Sequence, residues 1–431
     1  MVILQGGSGK GLIGFGKLLF MSRKDDRGLL VGLDIGTTKV VVLVGVTNES
    51  GKVDVVGIGS SPSHGLKRGV VVNIDSTVKS IRHAIDEAEL MAGCSIHSAF
   101  VGISGGHIKS TNSNGIVAIR EREVTPLDVE RVIDAAKAIA FPADQKILHI
   151  LPQEFVIDGQ DGIKEPIGMS GVRLETKVHI VTGSVSAAQN MVKCVERCGL
   201  MVSDLILQQL ASSVAVLTDD ERELGVCLID IGGGTTDIAV FINGAICHSA
   251  VIPIAGDQVT NDLAVALRTS TKNAEEIKVK YASLIEQSLQ GASIKITSNS
   301  DLAQAKEVSG QLLTEVVEAR YEELFNLVLY ELKRSGFGNV FGAGVVITGG
   351  GSRIEGLLGL AERVFQLPVR LGAPEGIGGM LEVMNNPIYA TGVGLLLMAE
   401  QRASQNNVER SIFSESKGLW SKMKSWFQSN F

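Results

Sequence analysis

Apolar and polar positions alternate along the chain in blocks that predict an α/β protein written twice. From Leu29 to Ser61, runs of Val, Ile and Gly read as a strand meander. Gly65 to Asn73 is a loop returning to a strand. Asp75 opens a helix in which Val78, Ile81, Ile85, Ala88 and Met91 recur at helical spacing, and Gly93 stops it. Ala99–Ile103 reads as a buried strand. From Ser104 to Thr182 the character changes. Two short strand patterns precede a helix Pro126–Ala140 capped by Thr125. Strands Lys146–Pro152 and Lys177–Thr182 follow, with a charged, glycine-rich loop Asp158–Gly171 between them. This is a small α+β module inserted in the first half. Ser184 or Ser186 then opens a helix through Cys198.

The second half repeats the plan. A helix near Gln208–Leu217 leads into strands that continue to Ile254. A helical block runs from Asp257 to Lys333, broken by a polar segment around Ser288–Ser300. Ala343–Thr348 is a buried strand, followed by a glycine turn, a helix Glu355–Phe365 and a last core helix from Pro387 to Glu400. Gln401 to Lys417 is polar with few apolar anchors and predicts a flexible linker.

The closing segment has its own pattern. At about 100° per residue, Leu419, Trp420, Met423, Trp426, Phe427 and Phe431 fall within an arc of roughly 140°. Lys422 and Lys424 flank that arc, and Asn430 is the one misfit. Both tryptophans of the chain lie here. The arrangement suits an interfacial helix with aromatics at headgroup depth and lysines reaching anionic lipid. A helix docking on its own domain or on a partner protein is the alternative.

Composition narrows the picture. With 431 residues, two to four domains are expected. Hydrophobic residues at 45% but aromatics at only 4% mean cores of Val, Ile, Leu and Ala. Fifty glycines against nine prolines fit the many tight turns of α/β folds. A net charge of -7 without a basic stripe argues against nucleic acid as a partner. The five cysteines sit in apolar or helical surroundings. Cys194 and Cys198 share a helix face, where core packing outweighs a metal pair. Nothing suggests a disulfide framework, which fits a reducing cytoplasm. No run approaches the eighteen or so apolar residues of a membrane-spanning helix. Gly6–Gly11 is only superficially a P-loop, lacking the spacing and a preceding strand. Residues 1–27 are expected to be a disordered extension, with Met21 close to the first strand.

Two turns carry the candidate chemistry. Leu29–Leu33 runs into Asp34-Ile35-Gly36-Thr37-Thr38-Lys39, and Gly225–Ile229 runs into Asp230-Ile231-Gly232-Gly233-Gly234-Thr235-Thr236-Asp237. Each turn lies between two apolar runs. Glycines let the backbone approach an anion, and successive N–H groups make a phosphate cradle. An Asp at the strand end can hold magnesium through water. Two such turns suggest two related halves gripping one nucleotide.

These turns, the later Gly349-Gly350-Gly351-Ser352 and the helix-lined interior resemble the actin, Hsp70 and sugar-kinase ATPase superfamily. From Leu29 to Phe431 the chain is similar to the FtsA family of bacterial cell-division proteins. Gly32–Lys39, Glu221–Asp237, Ala274–Lys278 and the amphipathic end carry that likeness. It implies an actin-like two-lobed fold with a duplicated core. Residues 28–103 and 184–212, completed by 385–400, would form lobe 1. Residues 104–183 would be an inserted SHS2-like α+β subdomain. Residues 213–255 and 335–384 would form the core of lobe 2, and 256–334 its helical subdomain. A linker 401–416 would lead to an amphipathic membrane-targeting helix 417–431.

The resemblance also implies ATP and Mg2+. Backbone N–H groups of Gly36, Thr37 and Thr38 would face the terminal phosphates, with those of Gly233, Gly234 and Thr235 opposite; Lys39, Gly232 and Asp237 would also bind the nucleotide. Asp34 and Asp230 would orient magnesium and water. Gly349, Gly350, Gly351 and Ser352 would pass under the adenosine, and Gly256 would also bind the nucleotide. Glu275 and Lys278 would bracket adenine and ribose; without the family, an i, i+3 pair reads as a solvated surface ion pair. Gln208 matches the water-orienting position, where many relatives carry Glu. Gln orients a water but takes no proton, so hydrolysis is expected to be slow at most. The implied partners are the C-terminal peptide of FtsZ through 256–334, other divisome proteins through the insert, further copies of the chain as a polymer, and anionic lipid. The implied place is the cytoplasmic face of the inner membrane at the septum. A small-molecule kinase, a chaperone ATPase and a pilus-assembly protein are the alternatives within the superfamily.

Overall fold

A computed structural model describes residues 28–285, 293–296, 306–338 and 341–413. Lobe 1 begins with β1 (Leu29–Ile35), β2 (Lys39–Thr47) and β3 (Val53–Pro62), an antiparallel meander. Helix α1 (Ile74–Ala92) starts on the Asn73 side chain, which accepts from Ser76 N, and ends at Gly93 with φ 66°. Strand β4 (Ser98–Ile103) then lies parallel to β1.

The insert follows as β5 (Lys109–Ala118), α2 (Pro126–Lys137), β6 (Gln145–Ile157), β7 (Gln160–Ile163) and β8 (Arg173–Ser184). Its strands form one antiparallel sheet in the order β5-β8-β6-β7. Thr125 and Asp128 make a reciprocal capping box at the start of α2, as the sequence suggests. The insert has its own apolar core, in which Val132, Ile133 and Ala136 of α2 meet Ile150, Phe155, Leu174, Val178 and Ile180. Strand β7 falls inside the stretch expected to be a loop, since Ile163 reaches that core while its neighbours stay exposed.

The chain returns to lobe 1 through α3 (Val185–Glu196), capped by Ser184, and β9 (Met201–Leu207), parallel to β4. Helix α4 (Gln208–Val216) crosses into lobe 2. There β10 (Val226–Ile231), β11 (Thr236–Ile242) and β12 (Ala245–Ile252) make a second antiparallel meander. Helices α5 (Gly256–Leu267), α6 (Thr271–Tyr281) and α7 (Gly310–Arg334) follow. Strand β13 (Val345–Thr348), helix α8 (Leu357–Phe365) and strand β14 (Val369–Leu371) complete the second sheet.

The two sheets share one topology. Lobe 1 reads β3-β2-β1-β4-β9 and lobe 2 reads β12-β11-β10-β13-β14, each three antiparallel strands extended by two parallel ones. This is the duplication that the paired turns predict. Strand β15 (Ile377–Gly379) departs from the expected division: it lies within 335–384 but pairs with β3 of lobe 1. Its Ile377 packs with Val53 and Val55 in the interlobe core.

Helix α9 (Ala390–Phe413) sits with α4 between the sheets. A Cβ at Gly394 would lie 1.8 Å from the Ala211 carbonyl, so only glycine allows this crossing. The helix corrects a second expectation. It continues to Phe413, through most of the stretch read as a flexible linker from 401. No Gly or Pro interrupts Leu395–Phe413. Arg402 on its first polar turn pairs with the buried Asp204 at 2.6 Å and lies 5.9 Å from the Phe100 ring. Residues 401 and 403–405 are exposed, so polar composition there marks a solvated helix face. The extension 1–27 and the helix expected at 417–431 lie outside the described residues.

Candidate functional site

The two turns face each other across a cleft of about 400 Å³. Each is closed by the same hydrogen bond: Gly36 N donates to Lys39 O at 3.0 Å, and Gly232 N to Thr235 O at 2.9 Å. Each carries an Asp on the strand before it, paired across the hairpin with Val41 and Asp237 respectively. The turns touch. A Cβ on Gly233 would lie 1.6 Å from Thr38 Oγ1, and one on Gly234 would lie 2.5 Å from Thr37 Oγ1. A third turn closes the cleft from behind. Gly349 has φ 87°, and a Cβ there would lie 2.3 Å from Asp230 Oδ1.

Three carboxylates converge on the floor. Asp34 accepts from Gln208 Nε2 at 2.9 Å. Asp230 accepts from Thr391 Oγ1 at 3.2 Å. Asp237 accepts from Ser104 Oγ across the interlobe gap and from Thr235 Oγ1 at 3.3 Å. Burial raises all three: Asp34 to about 7, Asp230 to about 6 and Asp237 to about 8. Lys39 opposes the shift at Asp34, and its own ammonium is lowered by burial to about 8. It lies 4.4 Å from the centre of the Tyr389 ring.

At the other end, Lys278 Nζ donates to Gly256 O at 3.0 Å and Thr260 Oγ1 at 2.8 Å, and pairs with Glu275 at 2.7 Å. The Lys278 side chain is only 12% exposed while that of Glu275 is 39% exposed, and both line the cleft, so the pair sits at its rim with the lysine turned inward. Helix α5 is tied to the second turn by Gly256 N to Gly232 O at 3.2 Å and Asp257 N to Gly233 O at 2.7 Å.

All the residues singled out for a nucleotide line this one cleft except Ser352. That side chain is buried, and its hydroxyl donates to Gly349 O at 2.7 Å, so it shapes the third turn from inside. Gly69, Asp257, Tyr321, Arg353, Ile388 and Thr391 also line the cleft and were not singled out. Gly69 N donates to Thr37 Oγ1 at 3.0 Å, and the Tyr321 hydroxyl donates to Gly351 O at 2.8 Å. Tyr321 looks like ordinary helix core in sequence; the nearest signal for Gly69 is the glycine pair Gly65 and Gly69 in one loop. No disulfide joins the five cysteines, and Cys194 and Cys227 are buried. Among the described residues no group of three or more His, Cys, Asp or Glu could hold a metal directly. No described helix is long and apolar enough to cross a membrane.

A duplicated sheet, two touching phosphate-type turns and a third glycine turn define an actin-like protein. Solved structures agree on that fold. The PilM–PilN type IV pilus biogenesis complex matches with a TM-score of 0.62, covering 86% of this chain and 98% of that one at 16% identity. MreB5 of Spiroplasma citri bound to ADP matches with a TM-score of 0.51, covering 90% and 99% at 16% identity. At such identities the likeness concerns the fold alone. A family model described as "Cell division protein FtsA" matches residues 227–394, and one described as "SHS2 domain inserted in FTSA" matches residues 105–182. The cell division protein FtsA of Pseudomonas aeruginosa is 59% identical over 410 residues, 94% of this chain and 98% of its own length. That of Escherichia coli K12 is 45% identical over 95% of this chain and 100% of its own. The chain belongs to the FtsA family of cell division proteins.

Proposed function

We propose that the chain binds ATP with magnesium between its lobes and turns it over slowly at most. The bound state would set the chain's conformation within a membrane-bound polymer that anchors the FtsZ ring and recruits later divisome proteins. The observation that carries the nucleotide part is the contact between the two turns. Both turns line one cleft, and a Cβ on Gly233 or Gly234 would collide with Thr38 or Thr37 of the opposite turn; such glycine turns supply backbone N–H groups to a phosphate. The donor set fits a hydrated cation: Asp34 and Asp230 sit on the floor of the cleft, and burial disfavours their charge until a cation offsets it. Magnesium there supplies positive charge beside the phosphates. MreB5 of Spiroplasma citri, which shares the fold, is bound to ADP in one structure and AMPPNP in another.

Slow turnover follows from Gln208. Its amide orients a water but cannot accept a proton at neutral pH, and Nε2 is committed to Asp34. Attachment rests on the apolar arc of Leu419, Trp420, Met423, Trp426, Phe427 and Phe431. Fully burying one such side chain contributes at most about 1.5–3 kcal/mol, and ordering the helix costs part of that. One tail binds reversibly; many on one polymer bind tightly through effective concentration. The C-terminal peptide of FtsZ would dock on 256–334, and other divisome proteins on the insert.

Measuring ATP binding and liposome binding together, with and without residues 417–431, tests both halves. The truncated chain is expected to keep ATP affinity and lose liposome pelleting, as is Trp426→Glu. Equal pelleting of either variant would remove the anchor. Failure of the full chain to bind ATP in the presence of magnesium would remove the nucleotide site.

A further inference from the structure

The insert is covalently part of lobe 1, yet it is hydrogen-bonded to lobe 2. Its sheet meets β12, the edge strand of the lobe 2 sheet, through side chains that reach backbone carbonyls. Ser110 Oγ donates to Ser249 O at 2.7 Å, Asn112 Nδ2 to Cys247 O at 2.9 Å, and Gln153 Nε2 to Ile246 O at 2.9 Å. His179 closes the network. Its Nδ1 is 2.7 Å from Asn112 Oδ1 and its Nε2 is 2.9 Å from Ser249 Oγ. With the Asn112 amide nitrogen given to Cys247, its oxygen must accept, so His179 carries its proton on Nδ1 and accepts from the Ser249 hydroxyl. Burial, with His248 nearby, holds this imidazole neutral.

This contact joins those hydrogen bonds to a limited apolar patch, in which Val251 of β12 packs against Ile108, Leu148 and Val181 and Leu151 packs toward Phe241 and Ile246, whereas the insert's own core is larger and separate. Beside it lies a cavity of about 360 Å³ lined by Leu151, Phe155, Phe241 and Ile246. Hydrogen bonds and a small apolar patch along an edge, next to unfilled space, suit a contact that can shift more readily than a fully interdigitated core. The hairpin that receives the insert also carries the second phosphate turn. Asp237 on β11 pairs across to Val251 on β12, two residues from Ser249. Asp237 is itself held by Ser104, the residue after β4 through which the chain enters the insert.

We propose that the insert is a brace across the two lobes, whose seating on β12 responds to occupancy of the cleft through the β11–β12 hairpin. A ligand that draws the second turn toward the first shifts Asp237, and with it both the root of the insert and the strand on which its sheet rests. A surface recruiting other proteins through the insert would thereby differ between filled and empty cleft. The inference rests on the nucleotide reading above.

Hydrogen exchange on the full chain, with and without magnesium and ATP, tests it alongside a separate measurement of ATP affinity. Exchange is expected to slow at least about fivefold in 109–118 and 245–252 as well as in the second turn. In the Asn112→Ala, Ser249→Ala double variant, ATP affinity is expected to stay within about threefold while the response in 109–118 falls below about twofold. ATP binding that slows exchange in the second turn but leaves the wild-type insert unchanged would overturn the brace and keep the nucleotide site. An undiminished insert response in the double variant would overturn it too. Absence of ATP binding would overturn both readings. The wild-type comparison decides the matter even if the variant folds poorly.

Discussion

Gly233 and Thr38 are the tightest pair in the cleft. A methyl on Gly233 collides with Thr38 Oγ1 and must push the turns apart. Gly233→Ala is expected to destabilise the chain by about 1–3 kcal/mol and to weaken ATP binding more than tenfold. Adding Thr38→Ala should recover part of the loss, because the clash is with the hydroxyl; urea unfolding of the double-mutant cycle measures the recovery. Asp237 makes a second prediction. Its folded pKa, about 8, lies above the ordinary carboxylate value, so it stabilises the fold below the unfolded pKa and that stability is lost as pH rises through 8. His149 and His179, held by burial at about 4 and 3, act oppositely, losing stability as pH falls below 6.5. Between pH 6.5 and 8 the acids dominate, opposed only toward the upper end by Lys39, whose ammonium burial lowers to about 8. Without nucleotide, the melting temperature is expected to fall across that window, and less steeply in Asp237→Asn.

Among elements, those set by local chemistry were legible. Thr125 caps its helix where the sequence places it, as does Ser184, one of the two candidates, and the strand-turn-strand plan of Leu29–Val44 and Gly225–Ile242 predicts both meanders. What escaped depends on distant partners. Ile377–Gly379 is too short to declare a sheet, and its place is fixed by pairing with Val53–Val55. Ser352 reads as part of a ligand turn, but its hydroxyl is satisfied internally. Glu275 and Lys278 are ambiguous as a pair until Thr260 and Gly256 O enclose them. Helix α9 outruns its apolar stripe because Asp204, some two hundred residues earlier, waits for Arg402. Removing that partner leaves a buried carboxylate unpaired, which costs about 1–3 kcal/mol. Arg402→Ala is thus expected to speed hydrogen exchange in 401–413 while leaving the earlier turns of α9 protected; unchanged exchange would show that the ion pair does not hold the extension.

At the scale of the molecule, the proposed single-tail binding and the proposed polymer would be coupled by multivalency. Protein made polymer-deficient is expected to pellet with liposomes less than wild type at equal concentration, and equal pelleting would sever the coupling. The extension of α9 adds a geometric condition. Arg402 is pinned, and the helix runs eleven residues further to Phe413, about 16 Å at 1.5 Å per residue. The helix reaches Phe413 at an azimuth set by its turn count from Arg402, so the residue count along the extension acts as a phase. Two residues inserted after Gln405 would turn the exit by about 200°, while seven would return it to within about 20° and only move it about 10 Å outward. Attachment that depends on which way a filament faces should be lost with two and regained with seven, like a key recut out of and back into register.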